Sequence, residues 1–89
     1  MKSKRESLQV IYDILKAIQI AKTKPTHIMY KANLSHQMLE QYLNELISKG
    51  FITETKNPKG KTYSLTAKGS GYLKEYKLIT GFMESYGLD

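Results

Sequence analysis

His36, Gln37, Glu40, Gln41 and Asn44 recur at the spacing of a single helix face. Each of these side chains matches the edge of a nucleotide base: Gln and Asn form paired bonds with adenine, His donates to guanine acceptors, and Glu accepts from cytosine. Any amphipathic helix has a wet side, so polarity alone decides nothing. What distinguishes this set is the near absence of Lys–Glu pairs at helix-stabilising spacing, the usual occupants of such a face. A second group is cationic. Lys56, Lys59 and Lys61 crowd a short segment with Asn57, Pro58 and Gly60. Lysines so placed can grip a sugar-phosphate backbone, or keep an edge hairpin soluble, and the two roles are compatible. Lys2, Lys4 and Arg5 near the start of the chain also suit phosphate contact, although basic termini without function are common.

The whole chain has the same bias. Its net charge is +6 and its pI near 9.5, which favours an anionic partner, most often nucleic acid. Residues 1–24 hold six cations (Lys2, Lys4, Arg5, Lys16, Lys22, Lys24) against Glu6 and Asp13, which read as solvated. Residues 51–69 hold four (Lys56, Lys59, Lys61, Lys68) against Glu54. With 89 residues the chain can form one domain with a modest core, near the size at which a second subunit adds useful apolar surface. It has no cysteine, which excludes disulfides and thiolate metal sites and is compatible with a reducing cytosol. His27 and His36 are too few for a zinc site, so no metal is expected. No nucleophile with a base and no phosphate-cradling glycine loop is present, so neither an enzyme nor a cofactor is expected. No apolar run approaches a membrane span, and MKSKRES leads into an amphipathic segment containing acids, unlike a signal peptide.

The elements that must position these residues can be read from periodicity and punctuation. Leu8, Ile11, Leu15 and Ile18, with Ile14 alongside, predict a first helix from Glu6 to about Ala21. Pro25 ends that run and pushes Lys24 toward extended backbone. Thr26 is expected to cap a second helix, from His27 to about Ala32, with Ile28 and Met29 inward. His27 reads as a helix-surface or capping residue. Asn33, Leu34 and Ser35 form a turn, with Asn33 tolerating left-handed backbone and Ser35 capping the next helix. This third helix runs from about His36 to Lys49, with Leu39, Leu43, Leu46 and Ile47 on its inner face and Gly50 as a left-handed stop. Phe51–Thr55 and Thr62–Thr66 alternate as strands around a loop at 56–61. Thr66 can cap a last helix reaching about Tyr86, in which Gly69, Gly71 and Gly81 each cost up to about 1 kcal/mol relative to alanine.

That order predicts one α+β, mostly α domain over 1–89: a winged helix-turn-helix with three helices, a β-hairpin wing and a C-terminal helix. The segment THIMYKANLS, Thr26–Ser35, supplies the second helix and the turn that sets the angle of the third. Thr26, Tyr30 and Lys31 stand on the second helix, whose N-terminal amides can receive a phosphate. Tyr30 fits a partly buried core position equally well. In the last helix Tyr72, Tyr76, Ile79, Met83 and Tyr86 follow a coiled-coil seam, while Leu73, Leu78 and Phe82 lie off it. One small domain cannot cover so wide an apolar circumference. The expectation is a homodimer joined through 67–86, with Tyr72, Tyr76, Ile79, Phe82, Met83 and Tyr86 at the interface. The alternative is that one stripe packs on the first helix and the rest is exposed.

THIMYKANLS, then LNELISKGFI, then YSLTAKG, together resemble the small archaeal winged-helix DNA-binding proteins, which include ten-kilodalton chromatin-associated proteins of Sulfolobus and regulators of crenarchaeal viruses. The resemblance spans about Leu8 to Tyr76, and THIMYKANLS is its most specific part. It implies a homodimer joined by the C-terminal helices, the third helix in the major groove of double-stranded DNA, and the wing on flanking DNA. It also implies base- and phosphate-facing roles for Ser35, His36, Gln37, Glu40 and Gln41. From the lack of a membrane-span run and of a signal peptide, a cytoplasmic location is expected (host cytoplasm or nucleoid for a viral protein). Family members often carry more Lys or Arg on the third helix, where this chain has Glu40 and Glu45. The last dozen residues are also shorter than the coiled coils of the chromatin-type members. Both departures favour a sequence-specific transcription regulator. The alternatives are an architectural chromatin-type protein, which would bind unrelated duplexes equally, and a winged-helix protein-interaction module, which would not need Lys56, Lys59 or Lys61.

Overall fold

The computed structural model describes residues 4–20 and 24–88, with the side chains of 4–6 outside that description. Six elements occur in order: α1 (Lys4–Gln19), α2 (Pro25–Ala32), α3 (His36–Ser48), β1 (Ile52–Asn57), β2 (Gly60–Leu65) and α4 (Ala67–Ser85). They form the expected winged helix-turn-helix. The core gathers Ile14, Leu15 and Ile18 from α1, Ile28 from α2, Leu39, Leu43 and Leu46 from α3, Ile52 and Tyr63 from the hairpin, and Leu73 from α4. Leu8 departs from the predicted stripe, because at 48% exposure it stands at the edge of that core. The predicted extension of the first helix to Ala21 falls outside the described residues.

Thr26 does not cap α2. Pro25 occupies the first helical position, where its missing N–H leaves no bond unmade and its fixed φ suits the turn. Lys24 therefore becomes the N-cap, in extended backbone and without a side-chain hydrogen bond. The other punctuation acts as expected. Asn33 adopts φ 54°, ψ 52°, and Ser35 Oγ accepts the Met38 N–H at 3.2 Å. Gly50 takes φ 81°, which lets the Phe51 N–H reach the Leu46 carbonyl at 2.9 Å and its own N–H reach Ile47 at 3.1 Å, closing α3 in a Schellman motif. Gly87, at φ 68°, repeats that geometry, with the Leu88 N–H on the Met83 carbonyl at 2.8 Å.

The hairpin is longer and tighter than the alternation predicted. Residues 56–61 are not a loop: Lys56 pairs with Lys61 and Asn57 with Gly60 on the antiparallel ladder, leaving Pro58 and Lys59 as a two-residue turn. Asn57 Oδ1 accepts the Lys59 N–H at 2.9 Å, and Gly60 supplies φ 130°, a conformation that other residues rarely adopt. The strands therefore reach the tip.

One junction ties the wing to α4. The Thr66 hydroxyl accepts the Gly69 N–H at 3.1 Å and lies 2.6 Å from the Gly50 carbonyl oxygen and 3.0 Å from that of Phe51. Gly69 is required for this approach, because a Cβ there would collide with the Phe51 carbonyl oxygen. Lys68 adds a bond to the Lys49 carbonyl at 2.8 Å and lies 4.7 Å from the centroid of the Phe51 ring.

Candidate nucleic-acid interface

With Leu39, Leu43 and Leu46 buried, α3 turns His36, Gln37, Glu40, Gln41 and Asn44 outward, and all five are exposed. Helix α3 contains no Lys or Arg. Just beyond it, Lys49 is held by Glu45 at 2.8 Å. Gln41 lines a shallow groove with Met38, Tyr42, Glu45 and Ser7 of α1.

A larger groove of about 660 Å³ runs beside the start of α3. One wall is the beginning of α2, with Lys24, Pro25, Thr26 and Met29. The other is the hairpin from Asn57 to Thr62, and His36 closes the end. The fold thus brings Thr26, His36, Asn57, Lys59 and Lys61 to one place, as the sequence could not show. It adds Lys24 and Met29, which the sequence reading did not assign to a site. The signal for Lys24 was Pro25, since a proline at the first helical position puts the preceding residue at the helix mouth. Lys56, Tyr30, Lys31 and Ser35 are exposed outside that groove. Tyr30 is 81% exposed, which removes the core reading. Lys2 lies outside the described residues, as do the side chains of Lys4 and Arg5.

Electrostatics at the hairpin are uneven. Lys56 and Lys61 are opposite each other on the ladder, a like-charge pairing that disfavours the strand pair. Glu54 relieves it in part, 4.0 Å from Lys61. Glu54 also accepts the Tyr63 hydroxyl at 3.2 Å. Burial, then the charge of Glu54 and its hydrogen bond, then Glu40 from α3, push the Tyr63 phenol up to about 12. The Tyr63 phenol therefore stays neutral at the base of the wing, bonded to Glu54 across the strands, while the tip is cationic.

Of the residues expected at a dimer interface, Tyr72 and Tyr76 contact α1 of their own chain. Tyr72 donates to the Leu8 carbonyl at 3.0 Å and Tyr76 to Gln9 Oε1 at 2.8 Å, and the Tyr76 ring stacks on Tyr12 at 4.5 Å. Ile79, Phe82 and Tyr86 are exposed, Met83 is half-buried, and Leu78 (72%) and Leu88 extend the exposed apolar set.

Among the described residues no group of three or more His, Cys, Asp or Glu could hold a metal, and no helix is long and apolar enough to cross a membrane.

Comparison with known proteins agrees with this architecture. Two uncharacterized proteins of Methanocaldococcus jannaschii are relatives. One is 36% identical over 76 residues, covering 85% of this chain and 34% of the relative, so the chain spans about a third of that protein's length. The other is 42% identical over 77 residues, covering 85% of this chain and 75% of the relative. Among solved structures, Sso10a-2, a DNA-binding protein from Sulfolobus solfataricus, superposes with a TM-score of 0.76 at 20% identity, covering 90% of this chain and 83% of that one. The family model described as winged helix-turn-helix matches residues 4–84, and with α2, the Asn33 turn, α3 and the hairpin all in place, the chain belongs to the winged helix-turn-helix family.

Proposed function

We propose that this chain is a homodimeric, sequence-specific DNA-binding transcription regulator that acts by binding and not by catalysis. In this reading α3 enters the major groove with His36, Gln37, Glu40, Gln41 and Asn44 at base edges, and the wing lies on the flanking backbone or in the minor groove. The description of Sso10a-2 as a DNA-binding protein supports the class of partner.

The observation that carries the proposal is the layout of charge. Exposed cations stand at α2 and on the hairpin, while α3, which reaches their groove with His36, offers amides, an imidazole and the Glu40 carboxylate. A helix that held any duplex through phosphates alone would carry cations. Glu40 is repelled by phosphate and is satisfied only by a donor such as the cytosine amino group, so the wrong sequence is penalised. The wing and α2 lysines supply the sequence-independent attraction.

Dimerisation rests on the distal half of α4, where Leu78, Ile79, Phe82 and Tyr86 are exposed. A second copy would bury them, and its two-fold axis would present two α3 helices to a palindromic site.

The test is selection of bound duplexes from a random pool, with sedimentation of the free protein. The expected result is a two-fold-symmetric motif, affinity falling steeply with salt, and twice the chain mass. Binding without a motif would favour the architectural chromatin-type alternative. Absence of binding at moderate salt would favour the protein-interaction module.

A further inference from the structure

A second group of cations gathers away from the α2–wing groove. Lys74, Lys77 and Ser70 of α4, with Leu73 at the bottom and Gln19 of α1 on the far wall, line a groove of about 410 Å³. It shares no residue with the groove beside α3. Lys16 donates to the Gln19 carboxamide oxygen at 3.2 Å, which brings a third ammonium to its rim. The Lys16 pKa is pushed down, first by hydrogen-bond-range contact with Lys77, then by the Lys77 charge and by desolvation. Among the described residues, none of the three ammoniums has a carboxylate within 4.0 Å.

Long, hydrated lysine side chains are free to swing apart. Here α1 packs on α4, and Lys16, bonded to the Gln19 wall of the groove, stands close enough to Lys77 to feel its charge. Converging ammoniums call for a compact anion of more than one charge. A phosphodiester carries a single charge. A phosphate monoester carries about −1.5 to −2 near pH 7 and offers three strong acceptor oxygens. Leu73 and Ala67 give the same groove carbon surface on which an organic group can rest.

We propose that the α1–α4 groove binds a small organic phosphate monoester, with Lys16, Lys74 and Lys77 on the phosphate and the carbon skeleton over Leu73 and Ala67. Ile79 and Tyr86 lie on another side of α4 from Lys74 and Lys77, while Leu78, one turn beyond Lys74, stands at the groove's edge.

The full chain is titrated without DNA, at fixed ionic strength, with phenyl phosphate, inorganic phosphate and benzenesulfonate, following amide resonances and thermal midpoint. Phenyl phosphate is expected to saturate, to shift the amides of Gln19, Ser70, Lys74 and Lys77, and to raise the midpoint. Benzenesulfonate, with the same ring and one charge, should bind at least about tenfold more weakly, and Lys16→Gln or Lys77→Gln should each weaken phenyl phosphate about tenfold. Lys77 is exposed and Lys16 half-buried, and neither belongs to the core, so the substitutions leave it intact. Equal binding of the two aryl anions, or variants that bind phenyl phosphate like the parent, would overturn the proposal. Inorganic phosphate binding as tightly as phenyl phosphate would overturn the organic assignment, and displacement by a short duplex of arbitrary sequence would reassign the lysines to DNA contact.

Discussion

Lys56 and Lys61 face each other across the β1–β2 ladder, one pair back from the Pro58–Lys59 turn. Two like charges in register weaken a hairpin, and a polyanion lying along the tip would remove the repulsion. Lys56→Gln should therefore act in opposite directions: the free protein gains a few tenths of a kcal/mol, while the salt dependence of DNA binding loses about one unit of slope. Thermal melts and binding isotherms across a salt series measure the two effects. Loss of affinity for every sequence alike is expected of a backbone contact.

Glu40→Gln should change which base is tolerated at one position of a selected motif, by about 1–3 kcal/mol, because an acceptor-only carboxylate becomes an amide that can pair with adenine. Overall affinity for unrelated duplexes should rise as a negative charge is removed. Repeating the selection on the variant checks both. A motif unchanged from the parent would remove Glu40 from the reading face.

Gly69, Gly71 and Gly81 lie in one helix and should respond with different signs. Open space surrounds Gly71 and Gly81, so alanine there should stabilise by up to about 1 kcal/mol. Gly69→Ala should instead destabilise by about 1–3 kcal/mol, since its Cβ would drive α4 off the Phe51 carbonyl. Denaturant midpoints of the three variants separate the cases.

Tyr63 makes the protein sensitive to alkali. Its phenol is pushed up to about 12 from an ordinary 10.0, chiefly by burial. Because the folded value lies above the unfolded one, the stabilisation from the neutral phenol is intact below pH 10 and is lost as the pH climbs toward 12. The loss is on the order of 2 kcal/mol. Tyr63→Phe should remove that part of the pH dependence, which paired unfolding curves between pH 9 and about 12 would show. Lysine titration is common to both proteins and cancels.

Phe82→Glu should convert the proposed dimer to a monomer in sedimentation without lowering the stability of the isolated fold, because Phe82 is 62% exposed and touches Tyr86 rather than the core. Binding to a two-fold-symmetric site should fall by at least about tenfold, as one half-site contact is lost. A chain that sediments as a monomer before substitution would end the dimer proposal.

Local chemistry made most of this protein readable in its sequence. Proline without an N–H, asparagine and glycine with left-handed backbone, and serine and threonine as caps act within a few residues of themselves. For that reason the element order, the Asn33 turn and the ends of α3 could be read directly, and the leucine row fixed the outward face of α3 by periodicity alone. Thr26 was misread as a cap because two local rules competed, and the proline rule won. The hairpin tip was misread because side-chain alternation fades where both faces are wet, although the ladder continues.

What joins distant segments was decided only by the tertiary structure. Tyr76 and Gln9, 67 residues apart, meet because α4 crosses α1, and no period in α4 distinguishes a tyrosine facing its own chain from one left exposed. Lys24 reached the wing, and Lys16 reached Lys77, for the same reason. Neighbours across a surface are set by the packing of whole helices around Ile14, Leu39 and Leu73, and a sequence read along its length has no coordinate for that.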